Sequence, residues 1–247
     1  MRLCDPQHTP VKQAQQAVDM ALPFLLKKGI NSSVADVRQL SMKQIASICK
    51  TASFLIKVCN RRTLFLNAKL MHNQPHLEEL VGTMLESIAF NEPQEINYIE
   101  QHAENLGISK DMLDEVRRST ARGGPAELVI AAALDALDAQ TGPTTLNRAI
   151  STCKTALSTS AKAFSAQFVQ KAALQRPEAV KPALPKLLKD LINLLPAKSN
   201  IVRKEVALAV GAVGKLSSEK SLQASVEDLV DRYQRAEAED MPARYAI

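Results

Sequence analysis

The chain contains no tryptophan, six phenylalanines and three tyrosines, so aromatic residues make up only 4% of it. A core must therefore be assembled from Leu, Ile, Val and Ala, which favours close-packed helices over a β-sandwich. The four cysteines (Cys4, Cys49, Cys59 and Cys153) are irregularly spaced and follow no signal-peptide pattern. They read as reduced thiols of a cytoplasmic and nuclear protein, not as a disulfide framework. No stretch reaches the roughly 18 consecutive apolar residues of a membrane-spanning helix, so no direct membrane insertion is expected. The formal charge of +5 is mild and the Lys and Arg residues are scattered along the chain. A nucleic-acid binder usually gathers them into one stripe, so no nucleic-acid partner is expected.

What the chain does have is helical periodicity. Between Val180 and Leu216 two amphipathic helices are joined by a tight polar turn. Leu184, Leu187, Leu188, Leu191, Leu194 and Leu195 recur at steps of three and four and share one face. Pro182 and Pro185 fall in the opening turn, where a missing N–H costs little, and Pro196 ends the helix. Ser199 and Asn200 supply N-cap chemistry for a second helix whose apolar line is Val202, Val206, Ala209, Val210 and Val213. Gly211 and Gly214 lie inside this helix and follow no strand, so they read as close-packing positions and not as a phosphate loop.

An earlier stretch repeats this pattern. Val11, Ala14, Ala17, Val18, Ala21, Leu22, Leu25 and Leu26 form a stripe ended by Gly29, read as a helix stop. A turn at Asn31–Ser33 leads into a helix whose apolar line is Val34, Val37, Leu40, Ile45 and Ile48. Val37-Arg38 stands where the later pair has Val202-Arg203. These four are the structural repeat positions, the arginines expected to bridge turn carbonyls or a neighbouring acid. From Pro75 a third stripe runs through Leu77, Leu80, Val81, Met84, Leu85 and Ile88. A further helix carries Leu128, Ala131, Ala132 and Ala136, small enough for close approach, and Gly142-Pro143 is read as its stop. Helical spacing then continues from Leu146 through Ile150, Ala156 and Leu157 to Phe164, Phe168 and Leu174. The organisation expected is one helical-repeat region over 1–247: a first pair at 11–57, an atypical insert at 58–74, middle helices at 75–176, last pairs at 177–235 and an irregular tail at 236–247. One such pair cannot bury both of its faces, so stacked neighbours are implied.

Residues that could carry chemistry do not assemble into a motif. Cys59, His72 and His76 echo half of a zinc finger, but the positions before Cys59 hold Leu55, Ile56 and Lys57. No metal site is expected. His8, His72, His76 and His102 lie in different segments without a nucleophile motif. The acidic pairs Glu78/Glu79, Asp114/Glu115 and Glu227/Asp228 fall on polar helix faces. Catalytic residues, a bound cofactor and an enzymatic activity are accordingly not expected. The basic cluster Lys57, Arg61, Arg62 and Lys69 reads as a solvated face.

Three segments resemble a known family: 21–52, with KGINSSVADVRQLSMKQIASICKTA; 75–138, including Glu92, Pro93, Gln94, Asn97 and Tyr98; and 177–233. The run at 92–98 is the more telling part, because helix packing does not require it. The chain resembles the giant HEAT-repeat proteasome adapter and scaffold family, the proteasome stabilisers. The resemblance implies an all-α, HEAT/armadillo-like solenoid of antiparallel helix pairs, non-catalytic, that binds the proteasome and stabilises or monitors the association of its regulatory and core particles. It also implies that the chain is an internal fragment or abbreviated product of such a protein. The insert Val58–Gln74 departs from the family pattern and reads as a retained intron translated in frame, and Ser151–Leu174 departs from it too. Two other readings remain: a generic solenoid adapter for another partner, and a HEAT-like DNA-repair enzyme, which the lack of Trp and of a basic stripe disfavours.

Overall fold

A computed structural model describes residues 4–5, 7–51, 76–88 and 125–235, with isolated positions between 99 and 119. The insert Val58–Gln74, the 92–98 run, Cys59, His72, the basic cluster at 57–69 and the tail 236–247 lie outside the described residues. Among the described residues the regular structure is helical throughout. Helix α1 spans Val11–Phe24, α2 Ala35–Thr51, α3 His76–Ser87, α4 Pro125–Ala136, α5 Gly142–Thr155 and α6 Thr159–Gln175. A short α7 at Pro177–Val180 is followed by α8 (Leu184–Ile192), α9 (Asn200–Gly214) and α10 (Glu219–Arg235).

The helices sort into two layers. One contains α3, α5, α8 and α10, each packed on the next, and the other contains α2, α4, α6 and α9. Cross-layer packing of α3 on α4, α5 on α6 and α8 on α9 closes each antiparallel pair. The result is an all-α solenoid of stacked helix pairs. The core is aliphatic, with Leu80, Met84, Leu85, Leu146, Phe168, Leu187, Leu188 and Leu191 fully buried. At about 25 cal/mol per Å² of apolar surface, this burial is the main force holding neighbouring pairs together.

Polar latches fix the register within each layer. Glu86 of α3 accepts from Arg148 of α5 at 2.6 Å, Asp190 of α8 from Lys154 of α5 at 2.6 Å, and Asn193 after α8 from Arg232 of α10 at 2.8 Å. In the other layer Asp135 of α4 accepts from Arg176 at 3.0 Å. These contacts are largely exposed, so each is worth at most about 1 kcal/mol; they specify alignment more than stability.

Two glycines permit close approaches. A Cβ at Gly142 would collide with the carbonyl oxygen of Ala179 in α7, and one at Gly82 would meet Arg148 Cγ at 2.8 Å, where that side chain crosses α3 on its way to Glu86.

Several expectations from the sequence change here. Gly142-Pro143 opens α5 instead of closing α4: Pro143 occupies the first turn, where no N–H is needed. The Leu146–Leu174 stretch is two helices, broken at 156–158, where Ser158 Oγ accepts from the Ala161 amide at 3.4 Å. Leu157 sits fully exposed in that break, and Leu174 is exposed at the end of α6. On α4 the buried line is Ala126, Val129, Ile130, Ala133, Leu134 and Ala136, while Leu128 faces out. A helix that is apolar on nearly every side gives no polar face from which to phase the line. Gly29 is not a left-handed stop. α1 ends in a π turn at Leu25–Gly29, Asn31 Nδ2 donates to the Leu26 and Lys27 carbonyls, and Gly29 lets Ser41 of α2 approach. Gly211 is not a packing glycine either, since nothing lies within 4 Å of where its Cβ would stand.

Candidate interaction surface

The two helix pairs with a Val-Arg start place their arginines alike. Arg38 Nη1 donates to the carbonyls of Ser32 at 2.8 Å and Ser33 at 2.9 Å. Arg203 Nη1 donates to the carbonyls of Ala197 at 2.8 Å and Lys198 at 3.1 Å. In both cases the acceptors lie six and five residues upstream, so a guanidinium on the first turn of the second helix folds back over the inter-helix turn. A charged donor spanning two carbonyls holds the turn at one geometry and satisfies groups that would otherwise rely on water.

The valines differ. Val202 is 3% exposed and joins Val206, Leu195, Cys153, Ala163 and Ala166 in a cluster between α6 and α9. Val37 is 43% exposed, and Val34 and Leu40 beside it are more exposed still. The apolar line expected for α2 is therefore wrong in its first half. The buried face is Met42, Ile45, Ala46, Ile48 and Cys49, which packs toward α4 and the π turn.

Titratable groups do not converge. No group of three or more His, Cys, Asp or Glu among the described residues is placed to hold a metal ion. His8 Nδ1 meets Asp5 Oδ2 at 2.9 Å, a local contact in which the Gln7 amide and the His8 ring hold the Asp5 carboxyl below its usual range. Glu227 accepts from Gln223 and Asp228 from Arg232 within α10. Burial pushes the Cys49 thiol up to about 12 and the Cys153 thiol up to about 11, so neither forms a nucleophilic thiolate near neutral pH. No described helix is long and apolar enough to cross a membrane.

What the described residues offer is outward-facing helix surface. Residues 181–215 contain seven Lys or Arg against two Asp or Glu, an excess of five, equal to the formal charge of the whole chain. The α8–α9 pair therefore carries a local excess of basic side chains. Its lysines are dispersed among leucines and valines and form no run.

Comparison with known proteins places this architecture. The model of the HEAT-repeat domain of the proteasome adapter and scaffold protein ECM29 matches residues 74–234. The human proteasome adapter and scaffold protein ECM29 is 26% identical over 237 residues, which cover 96% of this chain but only 12% of that protein. No solved structure matches. The family match takes in α3 through nearly all of α10, more than half of the chain, and the stacked helix pairs are those of a HEAT array, so the chain belongs to the ECM29 HEAT-repeat family.

Proposed function

We propose that this chain is a non-catalytic scaffold segment that contributes a stretch of α-solenoid surface to proteasome binding, in the cytoplasm and nucleus. On this reading it helps hold or monitor the association of the regulatory and core particles. The observation that carries it is the ECM29 family match over residues 74–234, together with a relative named as a proteasome adapter and scaffold. The construction of the surface supports the same reading. Stacked pairs present side chains from several helices to one partner, and binding energy on such an array is spread over a broad area. The test is affinity purification of the full-length gene product, with and without residues 177–235, scored for co-purifying proteasome subunits. A loss of at least about fivefold in proteasome yield supports a direct contribution by this part of the stack. An unchanged yield makes the segment a spacer and overturns the proposal.

A further inference from the structure

The excess charge of the α8–α9 pair is turned outward and only partly compensated. Of the two acids in 181–215, Asp190 is paired with Lys154, and Glu205 is buried. Arg203 is engaged by the turn carbonyls and Lys181 by Glu178 at 2.8 Å. Lys198, Lys204 and Lys215 are exposed and pair with no acid among the described residues. On α9 the exposed positions Lys204, Leu208, Gly211 and Lys215 follow one another at steps of four, three and four, which sets them on a single line along the helix. Ala207 lies beside that line and is exposed as well. The two lysines are eleven residues apart, roughly 16 Å along the axis at 1.5 Å per residue. Between them the surface is apolar and low. Leu208 stands 45% exposed, and at Gly211 a whole side chain is missing with open space above it.

The line is separate from the core. α9 already buries Val202, Val206, Ala209 and Val213 against α6 and α8 through its opposite face. We infer that the outward strip of α9 (Lys204, Ala207, Leu208, Gly211, Lys215, with Lys198 at the turn) docks an acidic amphipathic helix of a partner protein. The partner's apolar side chains fill the saddle over Gly211, and its carboxylates meet the lysines at either end. This names the chemistry of one contact on the proposed scaffold surface, and it rests on that reading.

Charge complementarity selects the occupant. A strip whose only ionic groups are cations repels basic partners and steers acidic ones, and helix-in-groove recognition needs the apolar centre that this strip has. Nucleic acid is the poorer fit. Residues 181–215 contain no Phe, Tyr or Trp on which a base could stack, and two lysines flanking an apolar saddle do not track a phosphate ladder.

The test uses the purified 247-residue chain and a fluorescein-labelled helical peptide with a Leu/Ala centre and Glu residues eleven positions apart, read by fluorescence anisotropy. A Gln-for-Glu peptide and a short DNA duplex serve as competing probes. Saturable binding of the acidic peptide is expected, with binding about tenfold weaker for the Gln version and for the Lys204→Glu/Lys215→Glu chain. Gly211→Leu, whose Cβ enters open space, should weaken it comparably, while Lys186→Glu/Lys189→Glu on α8 should leave it within about twofold. Far-UV circular dichroism confirms that each variant keeps its helix content. Equal affinity for the Gln peptide, indifference to the Lys204/Lys215 reversal, or tighter binding of the duplex at ~150 mM salt would each overturn the inference. Proteasome co-purification with the same variants separates the two readings. Absent peptide binding with proteasome retained removes the strip alone, and peptide binding without any proteasome removes the proposed function alone.

Discussion

At the residue scale, Gly142 and Gly211 both sit in helices, for opposite reasons. Gly142 is pressed against the Ala179 carbonyl, so an added methyl group would have to push α7 away from α5. Gly211 faces open space, so it pays the entropic cost of glycine in a helix with no packing return. Gly142→Ala is expected to destabilise the chain by about 1–3 kcal/mol and Gly211→Ala to stabilise it by about 0.5–1 kcal/mol, compared by urea unfolding at unchanged m-value. Loss of stability from Gly211→Ala would show that the space above it is filled. The buried thiols make a second prediction. Cys49 and Cys153 have folded-state values near 12 and 11, raised from 9.0 by burial, so folding favours the neutral thiol. Their contribution to stability is complete below about pH 9 and is lost as pH rises toward the folded values, because the unfolded chain sheds those protons first. Chemical unfolding midpoints should therefore fall between pH 9 and 11, and a disulfide reagent at pH 8 should reach these two thiols only at the rate of unfolding.

At the scale of the helix pair, the guanidinium over the turn predicts a chemical preference. Arg203→Met removes two charge-assisted hydrogen bonds from a half-buried turn and is expected to cost about 1–2 kcal/mol. Arg203→Lys should recover little of this, because a single ammonium does not reproduce the reach and planar fork of the guanidinium. Amide exchange across residues 193–200 would accelerate in both variants; unchanged exchange would mean that Pro196 and the packing of Leu195 hold the turn unaided. The pair was also the most readable unit in the sequence. The α3 and α8 lines were legible because leucines at three- and four-residue steps stand against Lys, Glu and Asp on the other face. The α4 line was not, since PAELVIAAALDA offers only two charges from which to set the phase. The first half of α2 misled because Val34, Val37 and Leu40 keep helical spacing yet have no helix among the described residues to pack against. The Gly-Pro at 142–143 is punctuation that serves a stop and a start equally well. The strip on α9 was hidden for a different reason: that lysines from separate turns line up with a missing side chain is a property of the folded surface, and no local motif announces it.

Across the whole molecule, burial is uneven along the stack, and stability should follow it. α6 lies at the centre, packed on α5, α9 and α4, with ten of its seventeen residues buried. α10, the last described helix, rests on α8 and has no buried residue; Leu229 reaches the core while Leu222, Val226, Val230 and Tyr233 stay about half exposed. In a stacked array each unit is stabilised by its neighbours, so a helix that buries no residue opens at lower cost than one packed on three others. Native-state hydrogen exchange is expected to show α10 opening locally while α6 exchanges only through global unfolding. Core truncation should report the same gradient: Phe168→Ala should cost about 3–5 kcal/mol and raise exchange throughout the described helices, whereas Leu222→Ala should cost less than about 1 kcal/mol and be felt in α10 alone. Protection of α10 equal to that of α6 would contradict this gradient. If that protection also rose with protein concentration, the half-exposed face of α10 would be covered by a second copy, and the stack would continue through association.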